Sequence, residues 1–544
     1  MISKADEKSA FSFTIRNCGD KEMAKKENTY SRKTDKHDEH KHLFGSSGNT
    51  DFIINMTPEG AKKLAGIYAM IAIILVGISA VPYYLGKQFG TPNQMLMLQT
   101  DLNQGLAILI MTAVVLAGFV GALVFMVLCV KKEVVLARNR GLLIFAAIIA
   151  AALVSTLASA DPLTGIFGYL DRAEGLLTLM GYIGFFTIGI CLTDDKWRKN
   201  AGKTIIGIGT ANAVIGILQS IPALAKYVPS YYNYLFADLR TNIFRAEYFN
   251  AYAGYDASYA ADGVTCSPFA LAALMTVASA LALDRAAYAE KNSSRIINLV
   301  CTGLMFGAAI VTQTITALIG IGSVIVISLV ISLTDRKCEG EKKGANKAAV
   351  VTSLLAAVTC GAIAAGVVLT DNFRLRDEHI MFTDSFERLS IAPFAHPAHE
   401  DNIYPTLWYE GWLTFTDHAV LGVGPDCWIT MYADGEGMAT DRTYNEYLDT
   451  ALTRGAVGLA LYLVLLVMTF IKAARMLAKA HRGDIDKGTA YGLFTAYTAY
   501  LIQAFVNITS LTVTPFFMLT AGIIWSYEAV TGSPKKNAEE KDNN

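Results

Sequence analysis

The chain has 544 residues, a mean hydropathy of +0.37 and only 17% charged residues. A soluble chain of that length would split into several domains and carry more charge, so the composition excludes an ordinary soluble enzyme and points to a polytopic membrane protein. The net charge of −1 gives no general attraction to nucleic acid, and the eight scattered cysteines, without a CxxC, indicate neither a disulfide framework nor a cysteine metal site.

The first sixty residues are hydrophilic and aperiodic. No leader pattern stands near Met1, so 1–60 reads as a disordered cytoplasmic tail. KHDEHKH, with His37, His40 and His42, reads as part of that tail rather than as a metal site. Residues 61–369 hold nine apolar segments, near 64–85, 105–130, 141–160, 175–193, 203–221, 267–284, 296–312, 315–333 and 348–369. A large outer loop domain follows at 370–455. Three more segments lie in 456–530, near 456–471, 489–507 and 511–530, before a short cytoplasmic tail at 531–544. Each is close to the roughly 20 residues a bilayer requires, giving about twelve transmembrane helices. The break at TQTIT (312–316) is the least marked.

The loops sort by charge. KKEVVLARNR (131–140), DDKWRKN (194–200), DRKCEGEKKGANK (335–347) and KAARMLAKAHR (472–482) are short and basic, and they alternate with loops poorer in Lys and Arg. The positive-inside rule places these four in the cytoplasm, with both termini, for a multi-pass protein of the cytoplasmic membrane. Three segments then face outward: DPLTGIFGYLDRAEG (161–175), the tyrosine-rich stretch 222–265, and 370–455. Long loops tend to carry function.

The last loop ends in DRTYNEYLDTALTRGAVGLALYLVLLV (441–467). Thr443-Tyr-Asn-Glu446 has the form of a capping box, which predicts a helix from Thr443 to Arg454 ended by Gly455. Arg442 and Glu446 are spaced to pair at i,i+4. Asn445 and Asp449 share one face; Tyr444, Leu448 and Ala451 share another. An amphipathic helix resting on the membrane interface is an equal alternative. Upstream, LWYEGWLTFTDHAVLGVGPDCW (407–428) predicts a tight turn at Gly422, Gly424 and Pro425. The strand–turn–helix setting of a dinucleotide site is missing. Trp408, Tyr409, Trp412 and Trp428 could stack on sugar rings or pack the loop's own core.

Taken in order, Trp408…LGVGPDCW…DRTYNEYLDTALTRGAVGLALYL resembles the signature of the O-antigen ligase/polymerase family. GIFGYLDRAEGLLTLMGY (165–182) is similar to that family's Phe-Gly…Arg-x-Glu-Gly-Leu stretch. AYLIQAFVNITSLTVTPFFMLTAGI (499–523) is similar to the last two spans of its Gram-positive members. The resemblance implies an all-α, GT-C-like membrane bundle with one large, partly helical outer loop. It also implies a glycosyltransferase of cell-surface polysaccharide biosynthesis, either a polysaccharide ligase or a polymerase. Such an enzyme moves a glycan from a polyprenyl-diphosphate (undecaprenyl-type) carrier to a glycan or lipid acceptor, by an inverting reaction with no metal and no cofactor.

A departing lipid diphosphate calls for positive charge, best supplied by the fixed fork of arginine. Arg172 (beside Glu174), Arg388, Arg442 and Arg454 are the outer-face candidates. Glu174, Trp408, Gly422, Gly424, Asp426, Asn445 and Glu446 complete the expected substrate-binding set. The family motif has a histidine where this chain has Tyr444, and a phenol with a pKa near 10 is a poor base at neutral pH. The catalytic candidates are therefore Tyr444, as a hydrogen-bonding group, His418, and His399 in AHPAHED (395–401), where His396 and His399 lie close to Glu400 and Asp401. Two further departures are Tyr404 at the place of an arginine, and TQTIT without one. Three readings from other classes stay open: a twelve-span transporter, a lipid-linked oligosaccharide flippase, and a catalytically inactive glycan-binding relative. Against transport, no inverted repeat is visible and Asp and Glu are nearly absent from the segments.

Overall fold

The computed structural model describes residues 56–79, 81, 92–134, 140–169, 172–225, 227–228, 261–265, 267–312, 314–335, 345–369, 403–428 and 442–529. No strand occurs among them. The chain divides into two compact units, Met1–Ala61 and Lys62–Asn544. In the first, the Thr57 hydroxyl accepts from the Gly60 N–H at 3.1 Å, and Pro58 follows at a position where its missing N–H is not needed. These residues open α1 (Pro58–Ile78).

The second unit continues with α2 (Pro92–Val130), α3 (Arg140–Ala158), the short α4 (Pro162–Phe167), α5 (Leu176–Cys191), α6 (Asp195–Ser220) and α7 (Pro222–Ala225). Then follow α8 (Pro268–Ala287), α9 (Asn292–Val311), α10 (Ile315–Thr334), α11 (Ala345–Leu369), α12 (Ile403–Asp417), α13 (Glu446–His481), α14 (Lys487–Gln503) and α15 (Thr514–Ala529). Each of the twelve apolar segments overlaps a helix among the described residues. By length and composition eight of the described helices can cross a membrane: α1, α2 over Ile108–Val130, α3, α6, α8, α9, α10 and α13. The apolar parts of α5 and α11 are shorter, and α14 and α15 have 17 and 16 residues. The protein is thus multi-pass, and twelve crossings remain an expectation. The TQTIT break is real: Thr314 caps α10, its hydroxyl accepting from Ala317 N at 3.2 Å.

Small residues let these helices approach closely, as is common where lipid replaces water. A Cβ on Gly184 of α5 would lie 2.1 Å from Gly118 Cα of α2, and one on Gly522 of α15 would lie 2.0 Å from the Phe186 carbonyl of α5. The alanine-rich α8 is the most enclosed, with 89% of its apolar window buried among α6, α9, α10, α11 and α14. It holds a carboxylate: Asp284 accepts from Ser328 and Thr495, each at 2.6 Å. Elsewhere Phe119, Leu143, Leu157, Val326 and Val467 are exposed, as a lipid-facing surface requires.

α13 differs from its prediction at the first turn. Its N-cap is Asn445, whose side-chain oxygen accepts from Tyr447 N and Leu448 N, both at 3.1 Å. Tyr444 has φ 53°, so helical geometry cannot begin at Thr443, and the expected capping box does not form. The Thr443 hydroxyl donates to Asp449 instead, at 2.7 Å. Gly455 (φ 68°, ψ −177°) breaks the helix as expected, but the chain resumes as one kinked element of 36 residues. Gly455→Ala would place a methyl 2.1 Å from the Val420 carbonyl in a left-handed conformation. A loss of at least about 2 kcal/mol is expected, read as a lower Tm in detergent.

Candidate active site

Three distant segments meet where α13 begins. In the loop after α4, Gly168 (φ 87°) and Ala173 (φ 54°) curl the chain so that two backbone N–H groups converge on one carboxylate. Asp426 Oδ2 accepts from Tyr169 N at 2.7 Å and from Glu174 N at 3.3 Å. Its Oδ1 pairs with Arg172 Nη2 at 2.7 Å. Burial pushes the Asp426 carboxyl above its ordinary range, opposed by Arg172 and Arg442. At the start of the same loop, Asp161 caps α4; the hydroxyl and N–H of Thr164 hold its carboxyl below the usual carboxylate range.

Asp426 is delivered by the predicted glycine turn. Gly422 (φ 72°) and Gly424 (φ 101°) bend it, and it is clamped to α13 at the Gly455 break. Val423 N donates to Leu452 O at 3.0 Å, Gly424 N to Thr453 O at 3.1 Å, and Ala456 N to Ala419 O at 2.7 Å. A side chain at Gly422 would lie 2.5 Å from the Thr453 carbonyl carbon, so the close approach needs glycine there. Ser155 of α3 adds a bond to the Thr453 carbonyl at 2.8 Å, and Val423, Trp428 and Leu452 form a small apolar core behind the turn.

A second ion pair lies beside the first. Arg442 Nη2 meets Glu174 Oε2 at 2.7 Å, with both side chains under 10% exposed. Thr509 donates to the same carboxylate oxygen at 2.8 Å, and Tyr182 to the other at 3.1 Å. Arg442 Nη1 also donates to the Thr509 carbonyl at 2.7 Å. The expected Arg442–Glu446 pair is therefore replaced. Arg442 precedes the true helix start, and Glu446 is buried, accepting from the phenols of Tyr462 and, at 3.1 Å, Tyr500.

Arg454, at the last residue before the break, differs from the other two arginines. Its Nε is sealed from solvent, and among the described residues it has no hydrogen-bond or ion-pair partner. It lies in the electrostatic field of Tyr462, Glu446, Glu174 and Tyr182.

The structure thus gathers Arg172, Glu174, Asp426 and Arg442 into one buried network, held by Gly422 and Gly424. Asn445 acts as helix cap and Glu446 turns into the tyrosines. Trp408 donates its indole N–H to the Thr443 carbonyl at 2.8 Å, and Trp428 packs the turn's own core, while Trp412 is 40% exposed against Phe415. Tyr444 is half-buried, its ring 4.9 Å from that of Phe269. His418 sits exposed after α12, its Nδ1 3.2 Å from the Thr414 carbonyl of its own helix. Arg388, His396, His399, Glu400 and Asp401 lie outside the described residues. Tyr182, Tyr462, Tyr500 and Thr509 join the site although the sequence does not single them out for it. Their signal is faint: single tyrosines inside apolar runs, and the polar NITS (507–510) between two spans.

Residues 300–463 match the family model described as O-antigen ligase. The chain carries an O-antigen ligase family domain. The family read from the sequence is borne out, and with it an O-antigen ligase/polymerase type of membrane function. The matched stretch contains Trp408, the glycine turn, Asp426, Arg442, Tyr444 and Arg454; Arg172 and Glu174 come from outside it and reach it through their ion pairs. No curated protein matches the chain.

Proposed function

We propose that this O-antigen ligase family chain transfers a glycan from a polyprenyl-diphosphate carrier to a sugar hydroxyl at the outer face of the cytoplasmic membrane, with both termini in the cytoplasm. The acceptor hydroxyl attacks the anomeric carbon and loses its proton. The bond from that carbon to the diphosphate breaks, and the lipid diphosphate leaves with the bonding pair. The observation that carries this reading is Arg454. Arg172 and Arg442 are committed to carboxylates, whereas the Arg454 guanidinium pairs with none among the described residues. A half-buried cation whose Nε is sealed without a hydrogen-bond partner is costly, and a diphosphate both relieves that cost and fits the guanidinium fork. The network around it then serves to fix the loops, so that the charge waits in place for the leaving group.

A strain lacking the protein tests this. Its polyprenyl-linked glycans would be extracted and sized. Full-length chains stranded on the carrier mean a ligase, and single repeat units on the outer leaflet mean a polymerase. An unchanged pool, or a block confined to the inner leaflet, removes glycosyl transfer and brings transport forward.

A further inference from the structure

Tyr444 has a strained backbone that its neighbours impose. A left-handed φ of 53° is rare for a bulky side chain, and such outliers concentrate where a site needs them. On one side, Thr443 is tied to Asp449 by its N–H (2.9 Å) and its hydroxyl (2.7 Å), and its carbonyl receives the Trp408 indole. On the other side, Asn445 is fixed as the cap of α13. Between buried Thr443 and buried Glu446, the left-handed residue keeps its own ring half-exposed. That ring packs against Phe269, in the first turn of α8, at 4.9 Å with a 54° tilt; Phe269 is half-exposed too.

We propose that Tyr444, backed by Phe269, is a stacking platform for a pyranose ring of the acceptor glycan, acting through its face and not its hydroxyl. The assignment rests on the glycosyl-transfer function above. A pyranose presents an apolar face of C–H groups, which an aromatic face receives at low entropic cost because the ring is already held. The helical stretch from Glu446 to Arg454 separates this platform from the diphosphate site by on the order of 12 Å at 1.5 Å per residue. That interval leaves room for the donor sugar between them, so the ring at Tyr444 belongs to the acceptor.

The test uses the full-length protein in nanodiscs, with polyprenyl-linked glycan from the deletion strain as donor and oligosaccharide from the producing strain's envelope polysaccharide as acceptor. Glycine and asparagine adopt left-handed backbone readily. Tyr444→Gly and Tyr444→Asn are therefore expected to keep or raise the Tm while raising the acceptor KM at least tenfold, with kcat within threefold and the donor KM unchanged. Tyr444→Phe is expected to stay within twofold of wild type throughout. A wild-type acceptor KM in Tyr444→Gly overturns the proposal. Equal impairment of Tyr444→Phe and Tyr444→Gly assigns the role to the hydroxyl, and a rise confined to the donor KM assigns the ring to the donor; either outcome overturns it. If the wild type transfers nothing, the glycosyl-transfer function fails separately. Saturation-transfer NMR of the same oligosaccharide still decides the platform: pyranose C–H signals that vanish in Tyr444→Gly support it, and spectra equal to wild type overturn it.

Discussion

Arg454→Gln is expected to lower glycan transfer by about two orders of magnitude or more while leaving the protein as stable as before, or more stable. The expected loss corresponds to about 3 kcal/mol of leaving-group stabilisation, the scale of removing one preorganised group from a developing anion. The unchanged stability follows from the guanidinium's surroundings. Arg454 has no hydrogen-bond or ion-pair partner among the described residues, so glutamine removes a charge without breaking an ion pair. Arg454→Lys keeps the charge but loses the fork, and about a tenfold loss is expected. Transfer in membranes and Tm in detergent check both variants. Full activity in Arg454→Gln would move the diphosphate elsewhere. A large drop in Tm would make Arg454 a structural residue.

The Arg442–Glu174 pair should behave in the opposite way. Arg442→Met leaves the Glu174 carboxylate buried with only hydroxyl partners, and a loss of about 3–5 kcal/mol is expected. Glu174→Leu takes the paired carboxylate from Arg442 and should cost as much. The double replacement Arg442→Met/Glu174→Leu removes both charges and should recover most of the stability, giving a coupling energy of several kcal/mol in the cycle. Thermal unfolding of the four proteins in one detergent measures it. Additive losses in the double variant would show that the two side chains do not act as a pair.

The contrast between these arginines shows what the sequence could and could not say. Long apolar runs located the membrane-type helices but not α4, α7 or α12, because the bilayer's demand for length and hydrophobicity is written locally. Glycine placement located the turn at 422–424 and the break at 455, because positive φ is a local need as well. Arg172, Glu174, Asp426 and Arg442 were recognisable as candidates, but their partners were not. Glu174 and Arg442 stand 268 positions apart, and the local alternative, Arg442 with Glu446, is what spacing alone suggests. That alternative fails on one torsion: Tyr444 takes a left-handed φ and sets Arg442 outside the helix. Tyr462 and Tyr500 carry only a faint signal in the sequence, because a hydroxyl aimed at a buried carboxylate leaves no periodic signature. Likewise α5, α14, α15 and the apolar part of α11 fall short in length, so eight spans follow from the described helices where twelve follow from the pattern.

Glycan transfer from a lipid diphosphate is tested most directly by following the lipid. Purified protein in nanodiscs would be given polyprenyl-diphosphate-linked glycan and acceptor oligosaccharide, and the released polyprenyl diphosphate counted against the glycan joined. One lipid diphosphate released for each glycosidic bond formed, abolished in Arg454→Gln, is the predicted result. Glycan crossing a sealed bilayer with its lipid linkage intact, and no diphosphate released, would contradict it.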